Sequence, residues 1–175
     1  MKNLPRTVAG VIAGLCLTLG PGAVGHAQTH PAVPGAARKE AVMTTRASGT
    51  FDVKLTPQTA EDKAETPMGR LSIDKQFHGD VEATSQGEML FAGGPAKGAG
   101  GYVAIERVSG TLHGRSGTFA LQHSGTMTRS GTQLTIVVVP DSGTGQLAGL
   151  TGSMTIKIEN GQHHYELDYA LPELP

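Results

Sequence analysis

The chain has 175 residues, a length typical of one domain, with 14 Lys and Arg residues against 15 Asp and Glu. Its formal charge of −1 and its lack of a basic cluster argue against binding to nucleic acid or to an anionic membrane surface. A single cysteine, Cys16, leaves no pair for a disulfide within the chain.

The N-terminal segment, residues 1–27, has the composition of a secretory signal peptide. A basic start with Lys2 and Arg6 precedes an apolar stretch, and the small residues Gly25 and Ala27 mark a cleavage site. Lipidation is not predicted, because a leucine precedes the cysteine where a lipoprotein signal requires a small residue. We therefore predict an exported protein, periplasmic or secreted, that has no integral membrane segment after cleavage.

The chain beyond the signal peptide divides into a predicted linker and a predicted β domain. Residues 28–45 combine prolines with small residues and show no period, which is typical of a flexible linker. From Arg46 to Pro175 short alternating runs, separated by glycines, predict about eight to nine strands in one sandwich or barrel. The apolar residues that alternate along the first three runs are Phe51, Val53, Leu55, Leu71, Ile73, Phe77, Val81, Ala83, Met89 and Phe91.

The C-terminal hairpin carries the clearest turn signal. Asn160-Gly161 is typical of a type I′ turn, since both positions of that turn need positive φ. The turn predicts a register in which one face holds the pairs Ile158–His163, Ile156–Tyr165 and Met154–Leu167. One dry face and one wet face are typical of an antiparallel sheet over a core.

The central hairpin places two polar residues on an apolar face. With a four-residue turn over residues 113–116, Val108 opposes Leu121 and Glu106 opposes His123. The same face holds Tyr102, Ala104, Val108, Leu112, Phe119 and Leu121.

Two interpretations of this pair remain open. A buried carboxylate needs a partner, so a Glu106–His123 hydrogen bond can be purely structural. The same pair can instead orient a ligand or move a proton inside a mostly apolar cavity. A one-residue slip of either strand would separate the two residues.

Other motifs point to structure more than to chemistry. Residues 142–149, SGTGQLAG, are rich in glycine but lack the lysine of a phosphate-binding loop, so we expect a turn whose leucines cap the barrel. Arg115 in the HGRS turn can bind a carboxylate at one barrel end or remain a solvated turn charge. The histidines show no metal-ligand spacing, and no metal or cofactor is predicted.

Three segments carry a resemblance to a known family. YVAIERVSGTLHGRSGTFALQHSGT, VVVPDSGTGQLAGLTG and HHYELDYALP resemble the bacterial family catalogued as domain of unknown function 3224, over about residues 49–172. The resemblance implies a single eight-stranded antiparallel β-barrel similar to allene oxide cyclases and, distantly, to lipocalins. It carries over no catalytic residue.

Together these observations predict an exported barrel that binds a small hydrophobic or amphipathic molecule. An isomerase or cyclase acting on such a molecule, and a packed, ligand-free interaction module, are the alternatives. An internal void of a few hundred Å³ would distinguish the ligand-binding readings from the packed module. The sequence is compatible with a monomer or a homo-oligomer, and no nucleic-acid partner is predicted. The candidate ligand-binding residues are Glu106, His123, Tyr102, Val108, Phe119, Leu121 and Arg115.

Overall fold

A computed structural model describes residues 44–58 and 67–172. The predicted signal peptide and, apart from Thr44 and Thr45, the predicted linker lie outside these ranges. None of the described helices is long and apolar enough to span a membrane. The strands are β1 (Thr45–Pro57), β2 (Met68–Gly79), β3 (Val81–Gly93), β4 (Gly100–Leu112), β5 (Arg115–Thr128), β6 (Gly131–Val138), β7 (Thr151–Glu159) and β8 (Gln162–Ala170), with a 3₁₀ helix at Gly145–Leu147.

The eight strands form a closed antiparallel barrel in sequence order. β8 returns to β1, with a register that runs from Thr45 opposite Tyr169 to Phe51 opposite His163. The predicted all-β fold, a single eight-stranded antiparallel β-barrel, is therefore confirmed. Closure pairs the two outermost strands with each other, so the sheet keeps no free outer edge there.

The C-terminal hairpin has the predicted geometry. Asn160 and Gly161 have φ values of 52° and 83°, as a type I′ turn requires. All the predicted pairs are present, including Ile156 opposite Tyr165 and Met154 opposite Leu167. The local turn signal was sufficient here because a two-residue loop determines the register of both strands.

The predicted register of the central hairpin is wrong by two residues. Its turn is His113-Gly114, with φ values of 46° and 77°, and not the four residues 113–116. Glu106 consequently opposes Leu121, and Val108 opposes Phe119. Histidine tolerates the left-handed region better than most residues, which allows the tighter turn. A shift of two residues preserves the inward face of every side chain.

The apolar core fills one half of the barrel. We call the end with the β2–β3, β4–β5 and β6–β7 connections the closed end, and the opposite one the open end. The buried cluster draws on the parts of the strands next to the closed end, for example Val81, Leu112 and Phe119. Leu147 and Leu150, from the β6–β7 connection, are 1% and 0% exposed and cap this end as expected.

The β6–β7 connection also replaces a strand next to the closed half of β5. β6 pairs with β5 only from Leu121 onward towards the open end. Below that point the Thr144 amide donates to the Thr118 carbonyl at 2.8 Å, and the Thr144 Oγ1 accepts from the Thr118 amide at 3.0 Å. The Ser142 Oγ accepts from the Ala120 amide at 3.0 Å. The hydroxyls of the SGTGQLAG segment therefore satisfy backbone groups.

Inward-facing glycines make room for large side chains on the neighbouring strand. Gly87 of β3 opposes Glu106, and a Cβ at position 87 would lie 2.6 Å from the Glu106 Cβ. Gly125 of β5 likewise opposes Tyr102, whose ring occupies the space of a Cβ. Neither contact could accommodate a side chain without movement of the opposing strand.

The first prediction concerns Gly87. We expect Gly87→Ala to lower the free energy of unfolding by about 1–3 kcal/mol, because the new methyl group collides with the Glu106 backbone and Cβ. Gly101→Ala on β4 is the matched control, since a Cβ there meets its nearest atom at 3.4 Å. Urea denaturation of both variants measures the difference. Equal stabilities would contradict the close approach at Gly87.

Candidate functional site

A buried carboxylate lies at the centre of the barrel. Glu106 Oε1 accepts hydrogen bonds from Lys75 Nζ at 2.7 Å and from His123 Nε2 at 2.8 Å. Glu106 Oε2 accepts from Ser85 Oγ at 2.5 Å. The side chains of Glu106, His123 and Lys75 are 0%, 4% and 6% exposed. We call these four residues the Glu106 cluster; they come from the consecutive strands β2, β3, β4 and β5.

The predicted contact between Glu106 and His123 is confirmed, although the two residues are diagonal neighbours. His123 opposes Ala104 in the β4–β5 ladder, and Glu106 opposes Leu121. Diagonal neighbours on one face of a sheet remain within reach of long side chains. The predicted register was shifted by two residues, but such a shift leaves both side chains inside the barrel. The contact was therefore predicted correctly in spite of the wrong register.

Lys75 and Ser85 were missed by the sequence reasoning, although the pattern contained both. Lys75 lies between Ile73 and Phe77 in the inward alternation of β2. Ser85 follows Ala83 in the same alternation on β3. Because side chains alternate along a strand, Lys75 and Ser85 both fall on the apolar, inward face. A polar residue on that face needs a partner, and a buried carboxylate nearby can supply it.

The Glu106 carboxylate is ionised. Burial by itself raises its pKa, but the hydrogen bond from His123, the charge and hydrogen bond of Lys75 and the hydrogen bond from Ser85 outweigh that effect. Together they lower the pKa from 4.5 to about 2. Because an ionised carboxylate can only accept, His123 Nε2 carries the hydrogen of that bond. The Lys75 ammonium balances the buried negative charge.

A cavity of about 190 Å³ lies in the open half, adjoining the Glu106 cluster. Its wall is mainly apolar, and four polar side chains reach it: Lys75, Tyr102, His123 and His163. Lys75 Nζ lies 4.8 Å from the centroid of the Phe51 ring, and the His163 ring stacks on Phe51 at the same separation. Burial, and then the charge of Glu106, raise the pKa of Tyr102, so its phenol is neutral.

The other apolar side chains of the lining complete the wall. They are Val53, Leu55, Ile73, Met89, Leu134, Ile156 and Ile158. This arrangement, an apolar wall with a few polar groups at one side, is typical of small-molecule sites. Among the described residues, no group of three His, Cys, Asp or Glu side chains could hold a metal ion.

The structure places four of the predicted site residues away from the cavity. Val108, Phe119 and Leu121 are at most 2% exposed and belong to the packed core, not to the cavity lining. Arg115 is the first residue of β5, at the closed end, on the far side of the core from the cavity. Of the seven candidates, only Tyr102 and His123 line the cavity, with Glu106 directly beneath.

A second concavity, of about 360 Å³, lies on the outer face of β3, β4 and β5. Its outward side chains include Leu90, Val103 and Ile105, which are 57%, 54% and 52% exposed. It is larger than the internal cavity, but of the Glu106 cluster only His123 contributes to its lining. We take the internal cavity as the candidate site, because the buried Lys75 and His123 of the Glu106 cluster both line it.

Comparisons with known proteins agree with this fold. Residues 47–169 match the family described as Protein of unknown function (DUF3224). A crystal structure of a protein of unknown function from that family, from Shewanella oneidensis MR-1, is 50% identical, with a TM-score of 0.70. The alignment covers 75% of this chain and 100% of the other. No curated protein matches the chain.

The second prediction tests the coupling between Lys75 and Glu106. Lys75→Met leaves a buried carboxylate without its counter-charge, and we expect it to cost about 3–5 kcal/mol of unfolding free energy. Combining it with Glu106→Gln should cost clearly less than the sum of the two single changes. A double-mutant cycle by urea denaturation measures this coupling. Additive costs would show that the two charges do not interact.

The third prediction concerns pH. Because folding lowers the pKa of Glu106 from 4.5 to about 2, its ionised form stabilises the folded state above pH 4.5. This contribution, roughly 3 kcal/mol, should be lost as the pH falls towards 2. The measurement is the difference in unfolding free energy between the wild type and Glu106→Gln, from pH 7 downward. A difference that does not change with pH would contradict an ionised Glu106.

Proposed function

This chain belongs to the family described as Protein of unknown function (DUF3224), and we propose from the geometry of its site that the barrel binds a small apolar or amphipathic molecule. The observation that carries the proposal is the contact between the Glu106 cluster and the cavity. Lys75 Nζ and His123 are buried, yet both line a space with apolar walls.

The donors at the cavity suit a ligand with a hydrogen-bond-accepting group. An ammonium has three N–H donors, and Lys75 directs one of them to Glu106. Lys75 can therefore donate to an oxygen of the ligand as well. The aromatic faces of Phe51 and His163 and the aliphatic side chains would contact the apolar part of the molecule.

The size of the cavity favours a small inserted group over a ligand-free barrel. An engineered apolar cavity of about 150 Å³ is large enough to hold benzene. The 190 Å³ found here is larger than that but below the 300–1,000 Å³ range of sites that enclose a whole drug-sized ligand. We infer that the polar end and a short apolar portion of the ligand enter the barrel.

An isomerase or cyclase in the same cavity has less support than a binding protein. A general base works best with a pKa near the working pH. Glu106 has a pKa of about 2 and three hydrogen-bond donors around it, so it is a poor proton acceptor. Glu106 instead holds Lys75 and His123 in position at the cavity.

We also propose that the barrel acts outside the cytoplasm. The support is the basic, apolar and small-residue pattern of residues 1–27. The N-terminal sequence of the protein recovered from the cell envelope or medium of its host tests this proposal. A protein that begins at Gln28 supports export, and an intact N-terminus on a cytoplasmic protein contradicts it.

The fourth prediction tests ligand binding. Native mass spectrometry of the protein purified from its own host should show a co-purifying molecule. Val53→Phe should remove it, because the added ring fills the cavity beside Lys75, the residue that Val53 opposes on β2. Val103→Phe on the outer face, where the side chain is 54% exposed, is the matched control and should retain it. Two outcomes would count against the proposal: a wild-type protein with no bound molecule, or loss of the bound molecule in both variants.

A further inference from the structure

The barrel wall is incomplete on the side of the cavity. The structure describes every residue of β6 and β7, and over these residues the two strands pair at two positions. The pairs are Ile136–Met154 and Val137–Ser153. β6 nevertheless continues to Gly131 against β5, and β7 continues to Glu159 against β8. We call the unpaired stretch between residues 131–135 and 155–159 the slit.

The slit does not extend to the closed end. There, the β6–β7 connection occupies the edge of β5 and inserts Leu147 and Leu150 into the core. β6 therefore joins the barrel only beyond this point, and it is eight residues long where β5 has fourteen. The wall is closed beside the packed core and open beside the cavity.

Three apolar side chains face inward along the slit and are partly exposed to solvent. Leu134, Ile156 and Ile158 share the inward face with the buried Ile136 and Met154, since side chains alternate along a strand. Even so, Leu134 is 36% exposed and Ile158 is 63% exposed. These three side chains line the cavity. Apolar side chains along the slit are therefore in contact with both the solvent and the cavity.

We propose that the slit is the exit for the apolar chain of an elongated, straight-chain amphiphile whose hydrogen-bond-accepting head lies against Lys75. The inference rests on the proposed function and specifies its ligand class. A chain longer than the cavity must leave the barrel, and the slit offers a path lined by aliphatic side chains.

The experiment uses two straight-chain carboxylates, butanoate and decanoate, as probes of the whole protein. Each methylene that becomes buried should tighten binding roughly fourfold, so decanoate should bind much more tightly than butanoate. Ile158→Gln should weaken decanoate at least about fourfold, because the chain loses an apolar contact, and should leave butanoate unchanged. Ile105→Gln, at a 52% exposed outer position, is the matched control and should change neither.

A dodecanoate with a nitroxide on its terminal carbon locates the chain directly. Bound to the isotope-labelled protein, it should broaden the amide signals of residues 131–135 and 155–159 more than those of residues 94–99 at the open end. Two results together would contradict an exit through the slit: strongest broadening at residues 94–99, and unchanged decanoate affinity in Ile158→Gln. The proposal that the barrel binds a ligand would still stand. If neither carboxylate binds, this inference fails; the proposed function fails with it only if no molecule co-purifies either.

Discussion

The architecture of the open half depends on the hydrogen bonds and the ion pair that the buried Glu106 carboxylate makes. Its two oxygens accept from Lys75, Ser85 and His123, so one carboxylate joins four consecutive strands. The cluster lies where the packed apolar core ends and the cavity begins. An apolar substitute of similar volume could be as stable, but it would present no donor to the cavity.

The rest of the open half accommodates that cluster. Gly87 leaves the space that the Glu106 backbone and Cβ require. Phe51 packs its ring under the Lys75 ammonium, which receives a cation–π contact in addition to its ion pair. The ammonium is thereby held at the edge of the cavity and not drawn out to solvent.

The two ends of the barrel differ because of one connection. The segment between β6 and β7 supplies both the leucine cap and the hydroxyl groups that complete the backbone hydrogen bonds of β5. The same segment takes the place of β6 beside the closed half of β5, whereas the slit lies towards the open end, where β6 still pairs with β5. A domain with no disulfide among its described residues relies on such capping to close its core.

The amino-acid sequence determined the features that depend on local patterning. Alternation identified an all-β domain, Asn160-Gly161 set the register of the last hairpin, and period two placed Glu106 and His123 inside. These predictions succeeded because turn geometry and side-chain alternation act over a few residues of the chain.

Only the tertiary structure decided what surrounds that pair. Lys75 lies on a strand 31 residues before Glu106, and the pairing of β2 and β4 on either side of β3 brings the two side chains together. Val108, Phe119 and Leu121 share the inward face with Tyr102 but lie in the packed half, because alternation defines a face and not a height along the barrel axis. The cavity and the slit depend on which strands pair and how far that pairing extends, which no local pattern encodes.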